Sequence, residues 1–359
     1  MRRKRPVLFV LLIILLAALV YWQVRAWRHF DWQKFRDGAE GINYWRVLVA
    51  VALIYLADGL RALRWKIFLR PTRPGTSWLS LIAPQYIGFT GLALLGRPGE
   101  FIRPYLISKR VNTTMAPQVA IWLVERLFDT AAVVLMFTVD VFTSRSLRDL
   151  DRYEAWRHVG YVAAPVVLLF FLAVWALRAR GPAIAAWACR RASRISAEFG
   201  SSIEKKLRSL SDGLHTVKDV GSLAQLSVIS LLIWLLVALA YRYVTHAFPL
   251  YTDLPTLNFA EVVLLMFVSV AGGVITLPVV GGGSQLATIA VLSQTFGYAD
   301  TPELAVACGM LLWLVTFMSI IPGGLVLARR EHVSLRRLES EAGQEAKTED
   351  ASGPALPLP

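Results

Sequence analysis

The chain has 359 residues, of which 56% are hydrophobic and 18% charged, with 12 tryptophans, a mean hydropathy of +0.52 and a formal net charge of +13. A soluble chain of this length carries about 25% charged residues, and several apolar runs here reach the roughly 18 to 20 residues that cross a bilayer core, so a soluble globular fold is excluded. The positive balance reads as the Lys and Arg excess of a polytopic membrane protein's cytoplasmic loops, not as a nucleic-acid surface, for which no soluble basic domain is left over.

Residues 1–23 open MRRKRP and continue as the apolar VLFVLLIILLAALVYW. The run resembles a secretory leader, but no small-x-small cleavage site follows, which predicts an uncleaved first transmembrane helix with its N-terminus inside. Residues 24–44 mix Trp27, Phe30, Trp32, Phe35 and Tyr44 with charges, a composition that suits a segment lying on the outer membrane face or an ordinary loop. A second span is predicted at about 45–63. At and beyond its end Arg61, Arg64, Lys66, Arg70 and Arg73 face only Asp58, which marks a cytoplasmic end.

Residues 78–95 are apolar but contain Pro84, Gly88 and Gly91, and they run directly into Leu94–Arg110, LLGRPGEFIRPYLISKR. Such a segment is not expected to cross as one straight helix. Further spans are predicted at about 116–142, 159–177, 221–246 and 302–328, with a mixed-charge loop at 143–158. Between 178 and 219 nine Lys or Arg stand against four Asp or Glu, the composition of a cytoplasmic amphipathic connector able to meet anionic lipid. The last span is followed by the basic ARREHVSLRR, and residues 331–359 read as a polar, disordered cytoplasmic tail. Segments 24–46 and 143–158 carry five and four Lys or Arg, yet this order places both outside; the charge rule is a bias.

The fold class is therefore an all-α polytopic membrane protein of about seven to eight transmembrane helices, with one or two re-entrant or broken hairpins inside a domain covering 24–330 and both termini cytoplasmic. APQYIGFTGLALLGRPGEFIRPYLI and AGGVITLPVVGGGSQLATIAVL are both apolar, both broken by Gly and Pro, and both continue through a polar Glu or Gln into a second apolar stretch. Broken segments at corresponding places in two halves point to an inverted repeat around a site near the midplane. The alternative is that Gly and Pro are simply common in membrane helices.

A helix restarting near Pro98 would leave first-turn N–H groups pointing along its axis, an anion site. Gly96 and Gly99 would admit a close ligand, and Arg97 and Arg103 would supply bidentate donors to phosphate. Glu100 is three positions before Arg103, within pairing distance on one helix face. Lys109 and Arg110 need no role beyond setting topology. Within the next span stand Glu125, Arg126 and Asp129, whose cost in a membrane makes them functional candidates by default. By spacing Arg126 can reach Asp129; an interhelical clamp on Arg61 or Arg64 and a direct substrate contact remain equal readings, and both can hold. No hydrolase elbow, ATP-binding loop or nucleophile accompanies these acids, so no enzyme activity and no cofactor is expected. Cys189 and Cys308 are 119 positions apart and the five histidines are scattered, which gives no metal site.

Three patterns, RALRW at Arg61–Trp65, GRPGEFIRPYLI at Gly96–Ile107 and VERLFD at Val124–Asp129, resemble the lysylphosphatidylglycerol synthase transmembrane, or flippase-like, family. The resemblance covers about residues 5–330. It implies a helical domain with re-entrant segments that, in bifunctional members, moves an aminoacylated phospholipid from the inner to the outer leaflet. Those members append a soluble synthase domain, for which no room is left after residue 330, so aminoacyl transfer is not expected here. The family's second half usually reads Pro-Gly-Gly and then a Gly and a Glu. Here PVVGGGSQ brings Gly282 and Gly283 and puts Gln285 in place of the Glu.

The expected function is an inner-membrane lipid flippase or translocase-like protein for a phospholipid or lipid-linked headgroup. Its site would be Arg64, Arg97, Glu100, Arg103, Glu125, Arg126 and Asp129, with Gly282, Gly283 and Gln285 as second-half candidates. One alternative is a non-transporting membrane partner that presents lipid to an envelope-synthesis enzyme; a membrane-embedded transferase is a weaker one. A homo-oligomer is compatible with each.

Overall fold

The computed structural model describes residues 40–150, 152–193, 220–273 and 282–331, together with Gln33, Arg36, Ser196 and Ser201; a few further side chains, those of Arg97 and Pro98 among them, lie outside the description. The expected N-terminal helix at 1–23, most of the 24–44 segment, residues 202–219 of the connector and the tail from 332 onward fall outside the described residues. All regular structure among the described residues is helical.

Five helical stretches have membrane-spanning length: α1 (Tyr44–Leu69), α4 (Met115–Thr143), α5 (Tyr153–Ala192), α6 (Val220–Thr245), and α9 (Pro302–Trp313) running through a π-helical turn at Leu314–Met318 into α10 (Ile320–Arg330). The cores of α6 and of α9–α10 each have a mean hydropathy of 2.4 over a span-length window. α5 begins inside the segment expected to be a loop and, bending at Arg180, runs on into the expected connector. The rest of that loop holds one helical turn, Arg145–Arg148.

Four helices are shorter. α2 (Ile82–Leu95) and α3 (Ile102–Arg110) form one hairpin, joined by the tight turn Arg97–Phe101. α7 (Phe259–Gly272) and α8 (Gly282–Thr295) form the second. The 14-residue arms α2, α7 and α8 are about 21 Å long, short of the roughly 30 Å of a hydrocarbon core. Glycine sets the geometry of the first turn. Gly96 ends α2 at φ +69, a conformation L side chains rarely adopt, and a Cβ on Gly99 would lie 2.2 Å from the Gly91 carbonyl oxygen. Gly99 thus serves backbone-on-backbone packing, not the approach of a ligand, and its N–H donates to the Gly96 carbonyl at 2.9 Å instead of standing free. α7 starts with a capping box, Asn258 and Glu261 each bonding the other's backbone N–H.

The ends of the hairpins lie at opposite ends of the bundle. Arg73, before the first hairpin, donates to the carbonyl of Asn112, after it, at 2.8 Å. At the same end Arg70 donates to Gln225 at the start of α6, and Arg110 pairs with Glu331 at the end of α10. At the far end Asn43 N–H bonds the Ala247 carbonyl at 2.8 Å, Arg46 bonds the His246 carbonyl, and Arg152 reaches Gln294 on the last turn of α8. The main core joins α1, α6, α7, α8 and α9 through Ile54, Val237, Met266, Leu292 and Leu312. Phe137 and Phe267 stack at 3.9 Å to seat α4 on α7. Outward faces are apolar, as on Leu168 and Leu169 of α5, and Tyr44, Trp45 and Tyr251 lie exposed at the far end, the placement of an interfacial aromatic belt.

Candidate functional site

The first hairpin packs against α1 and α4 because both contribute charge that needs a partner. Gly88 makes the approach possible: a Cβ there would meet Arg103 Cβ at 2.5 Å. Arg103, on the first turn of α3, is pulled inward. Its Nη1 and Nη2 donate to Glu125 Oε1 and Oε2 at 3.1 and 2.6 Å, and its guanidinium lies 5.4 Å from the Trp65 ring centre and 5.2 Å from that of Phe89. Arg64 comes from α1 and is fully buried. It donates to Asp129 Oδ1 and Oδ2 at 2.6 and 3.2 Å, to Glu125 Oε1 at 2.6 Å and to Ser230 Oγ at 2.8 Å. Trp65 Nε1 completes Glu125 at 2.9 Å and Trp234 Nε1 reaches Asp129 Oδ1 at 3.1 Å. Four helices, α1, α3, α4 and α6, thus meet on two carboxylates one helical turn apart.

Around this centre the pairs become more accessible. Arg61 holds Asp58 at 2.6 Å and lies over the rings of Phe89 and Trp234. At the rim Arg126 faces Glu100 at 3.7 Å, the side chains 43% and 24% exposed, against 1% for Glu125. Four carboxylates therefore stand beside four guanidinium groups among the described side chains. Burial of unpaired charge in such a place would cost several kcal/mol per ion, and pairing removes most of that cost.

Six of the seven expected first-half residues come together here. Two pairings differ from the spacing argument. Glu100 sits in the tight turn Arg97–Phe101, whose three-residue pitch turns it to Arg126 and leaves Arg103 to Glu125; Arg126 accordingly does not reach Asp129. Of Arg97 only the backbone is described. The interhelical clamp, one of two equal readings from sequence, is the geometry of Arg64 with Glu125 and Asp129.

The second-half candidates lie elsewhere. Gly282 takes φ +60, and a Cβ on Gly272 would meet the Gly283 carbonyl oxygen at 2.5 Å, so these glycines bring α7 and α8 together. Gln285 faces Gly309 of α9 and joins no described bond of the charged cluster. The polar contact of that hairpin is made of hydroxyls: Tyr241 donates to Ser269 Oγ at 2.9 Å, and Ser269 bonds Ser284 at 2.8 Å. Residues 274–281, between the two arms, lie outside the described set.

Sequence reasoning left out Asp58, Trp65, Ser230, Trp234 and Gln85. Asp58, an acid inside an apolar run, carried the same signal as Glu125. Ser230 and Trp234, four apart on α6, carried none, because both are ordinary in membrane helices. Gln85 is fully buried, and neither amide atom has a partner among the described residues, at a cost of about 1–3 kcal/mol for each unmet group.

A family model described as the lysylphosphatidylglycerol synthase TM region matches residues 7–326. Neither the curated proteins nor the solved structures include a match.

Proposed function

The chain belongs to the lysylphosphatidylglycerol synthase transmembrane family, and on that premise we propose that it is an inner-membrane lipid flippase or translocase-like protein that takes a phospholipid or lipid-linked headgroup. It is a membrane protein whose regular structure, among the described residues, is all helical. The observation that carries the proposal is the ladder of charge from the accessible Arg126–Glu100 pair to the buried Arg103–Glu125–Arg64 centre, set beside a hairpin too short to cross. A headgroup phosphate can exchange for Glu100 at Arg126, and a headgroup cation for Arg126 at Glu100, while the acyl chains stay in lipid.

The two hairpins are read as re-entrant. Arg73 beside Asn112 supports both ends of the first lying at one face, and Arg152 beside Gln294 supports the end of the second lying at the other. That is the arrangement of an inverted repeat. On this reading five crossing stretches among the described residues, with 1–23 as a sixth, stand beside the two hairpins. Arg70, Arg73, Arg110, Arg329 and Arg330 gather at one end. By the positive-inside bias that end is read as cytoplasmic, with both termini on its side. With no nucleotide-binding motif, movement is downhill or ion-coupled.

The test is leaflet exchange of labelled phospholipids in proteoliposomes. Exchange is expected to exceed that of empty vesicles and to fall at least about tenfold in Arg126→Ala. The pair is partly exposed and loosely spaced, so its loss changes stability by about 1 kcal/mol or less and folding does not confound the readout. Exchange equal to empty vesicles refutes the proposal.

A further inference from the structure

Gln85 stands on α2 with neither amide atom partnered among the described residues and no exposed surface. Its place on the helix says where it points. At 100° per residue it lies between Gly88, whose missing side chain admits Arg103, and Phe89, whose ring lies under the guanidinium groups of Arg61 and Arg103. One turn before it, Leu81 packs with Trp65 and Ile107. The amide therefore faces the packed seam between α1 and α3, where Glu125 holds Arg64 and Arg103 together. Packing alone does not ask for a glutamine there, since methionine fills the same length without an unmet donor and acceptor.

We propose that Gln85 reads the headgroup of the bound lipid, and that the ligand class is a glycerophospholipid whose headgroup carries an O–H or N–H donor. Gln85 Oε1 accepts from that donor, and Nε2 donates to a phosphate oxygen. The inference rests on the lipid-handling reading above. The charges of the site support it: among the described side chains its acids and arginines are matched in pairs, so discrimination falls to a neutral group that bonds in both directions. Arg61, which pairs with Asp58 and lies over Phe89, is placed to take the phosphate on from Arg126 at the rim. Because the amide is covered in this state, the contact forms once the hairpin has moved away from α1.

The experiment uses the full chain in detergent and three short-chain probes: dihexanoyl phosphatidylglycerol, phosphatidylethanolamine and phosphatidylcholine. The first two carry a headgroup donor and the third does not. Affinity is read from the shift of the thermal midpoint with lipid concentration. The glycerol and ethanolamine lipids are expected to bind roughly fivefold to tenfold more tightly than the choline lipid, and Gln85→Met to erase that preference while the ligand-free protein melts higher. If Gln85→Met keeps the preference, the headgroup contact is wrong and the lipid reading stands. If no probe stabilises the wild type, the lipid reading falls and this inference with it. Gln85→Leu is the second variant; failure of both to fold overturns the proposal, because an amide without partners adds nothing to the empty fold.

Discussion

Glu125→Ala tests the charged centre most directly. The carboxylate accepts four hydrogen bonds, one each from Arg64 and Trp65 and two from Arg103. After the change Arg64 keeps Asp129 and Ser230, but Arg103, 4% exposed, keeps among the described residues only the faces of Trp65 and Phe89. Removing one partner of a buried pair costs about 3–5 kcal/mol, because the other charge is left uncompensated. If that is where the cost lies, Glu125→Met combined with Arg103→Met recovers most of it, leaving the protein within about 1 kcal/mol of wild type or more stable. Unfolding can be followed in a denaturant titration by labelling Cys308, which is fully buried, with a thiol-reactive fluorophore in a Cys189→Ser background. A loss below about 1 kcal/mol in the single variant, or a double variant no better than the single, would mean that the centre is hydrated and that the desolvation argument is mistaken.

Two further outcomes follow from the geometry. Gly99→Ala puts a methyl 2.2 Å from the Gly91 carbonyl oxygen, backbone that cannot swing aside, and is expected to destabilise by about 1–3 kcal/mol in the same titration; Gly75→Ala, with nothing within 4 Å, is the control, and equal effects would refute the close packing of the hairpin. His246, just past α6, is held below its ordinary pKa by burial and by Arg242 and Arg46. The unfolded chain therefore binds the proton first, and stability is full above about pH 6.5 and falls as pH drops toward the lower folded value; His246→Asn should flatten that slope, and a wild type that gains stability on acidification contradicts it.

Much of this was legible in the sequence because membranes penalise charge so heavily. Glu125, Arg126 and Asp129 announced themselves by lying inside an apolar run, and the break at Gly96 and Pro98 was written in residues that cannot continue a helix. What could not be read was partnership across the bundle. Spacing along one helix offered Glu100 to Arg103 and Arg126 to Asp129, yet the tight turn and the short distance from α3 to α4 chose Glu100 with Arg126 and Arg103 with Glu125. The expectation that glycines 96 and 99 open a path for a ligand failed in part for the same reason. Gly99 is consumed by the other arm of its own hairpin, a contact between residues eight positions apart that no helical period foretells.

The two hairpins meet the bundle with different chemistry, and α6 shows why. It meets the first hairpin's site with Ser230 and Trp234, and the second hairpin with Tyr241. Trp234 and Tyr241 are seven residues apart, about 10 Å along the axis. Near the basic end α4 supplies Glu125 and Asp129, so guanidinium groups can be buried there; farther along, α6 offers a hydroxyl, and the second hairpin answers with Ser269 and Ser284. A headgroup moving along α6, on the proposed function, would leave a place of strong paired charge for one of neutral hydrogen bonds. Hydroxyls hold phosphate less tightly than arginines do, so the second place favours release.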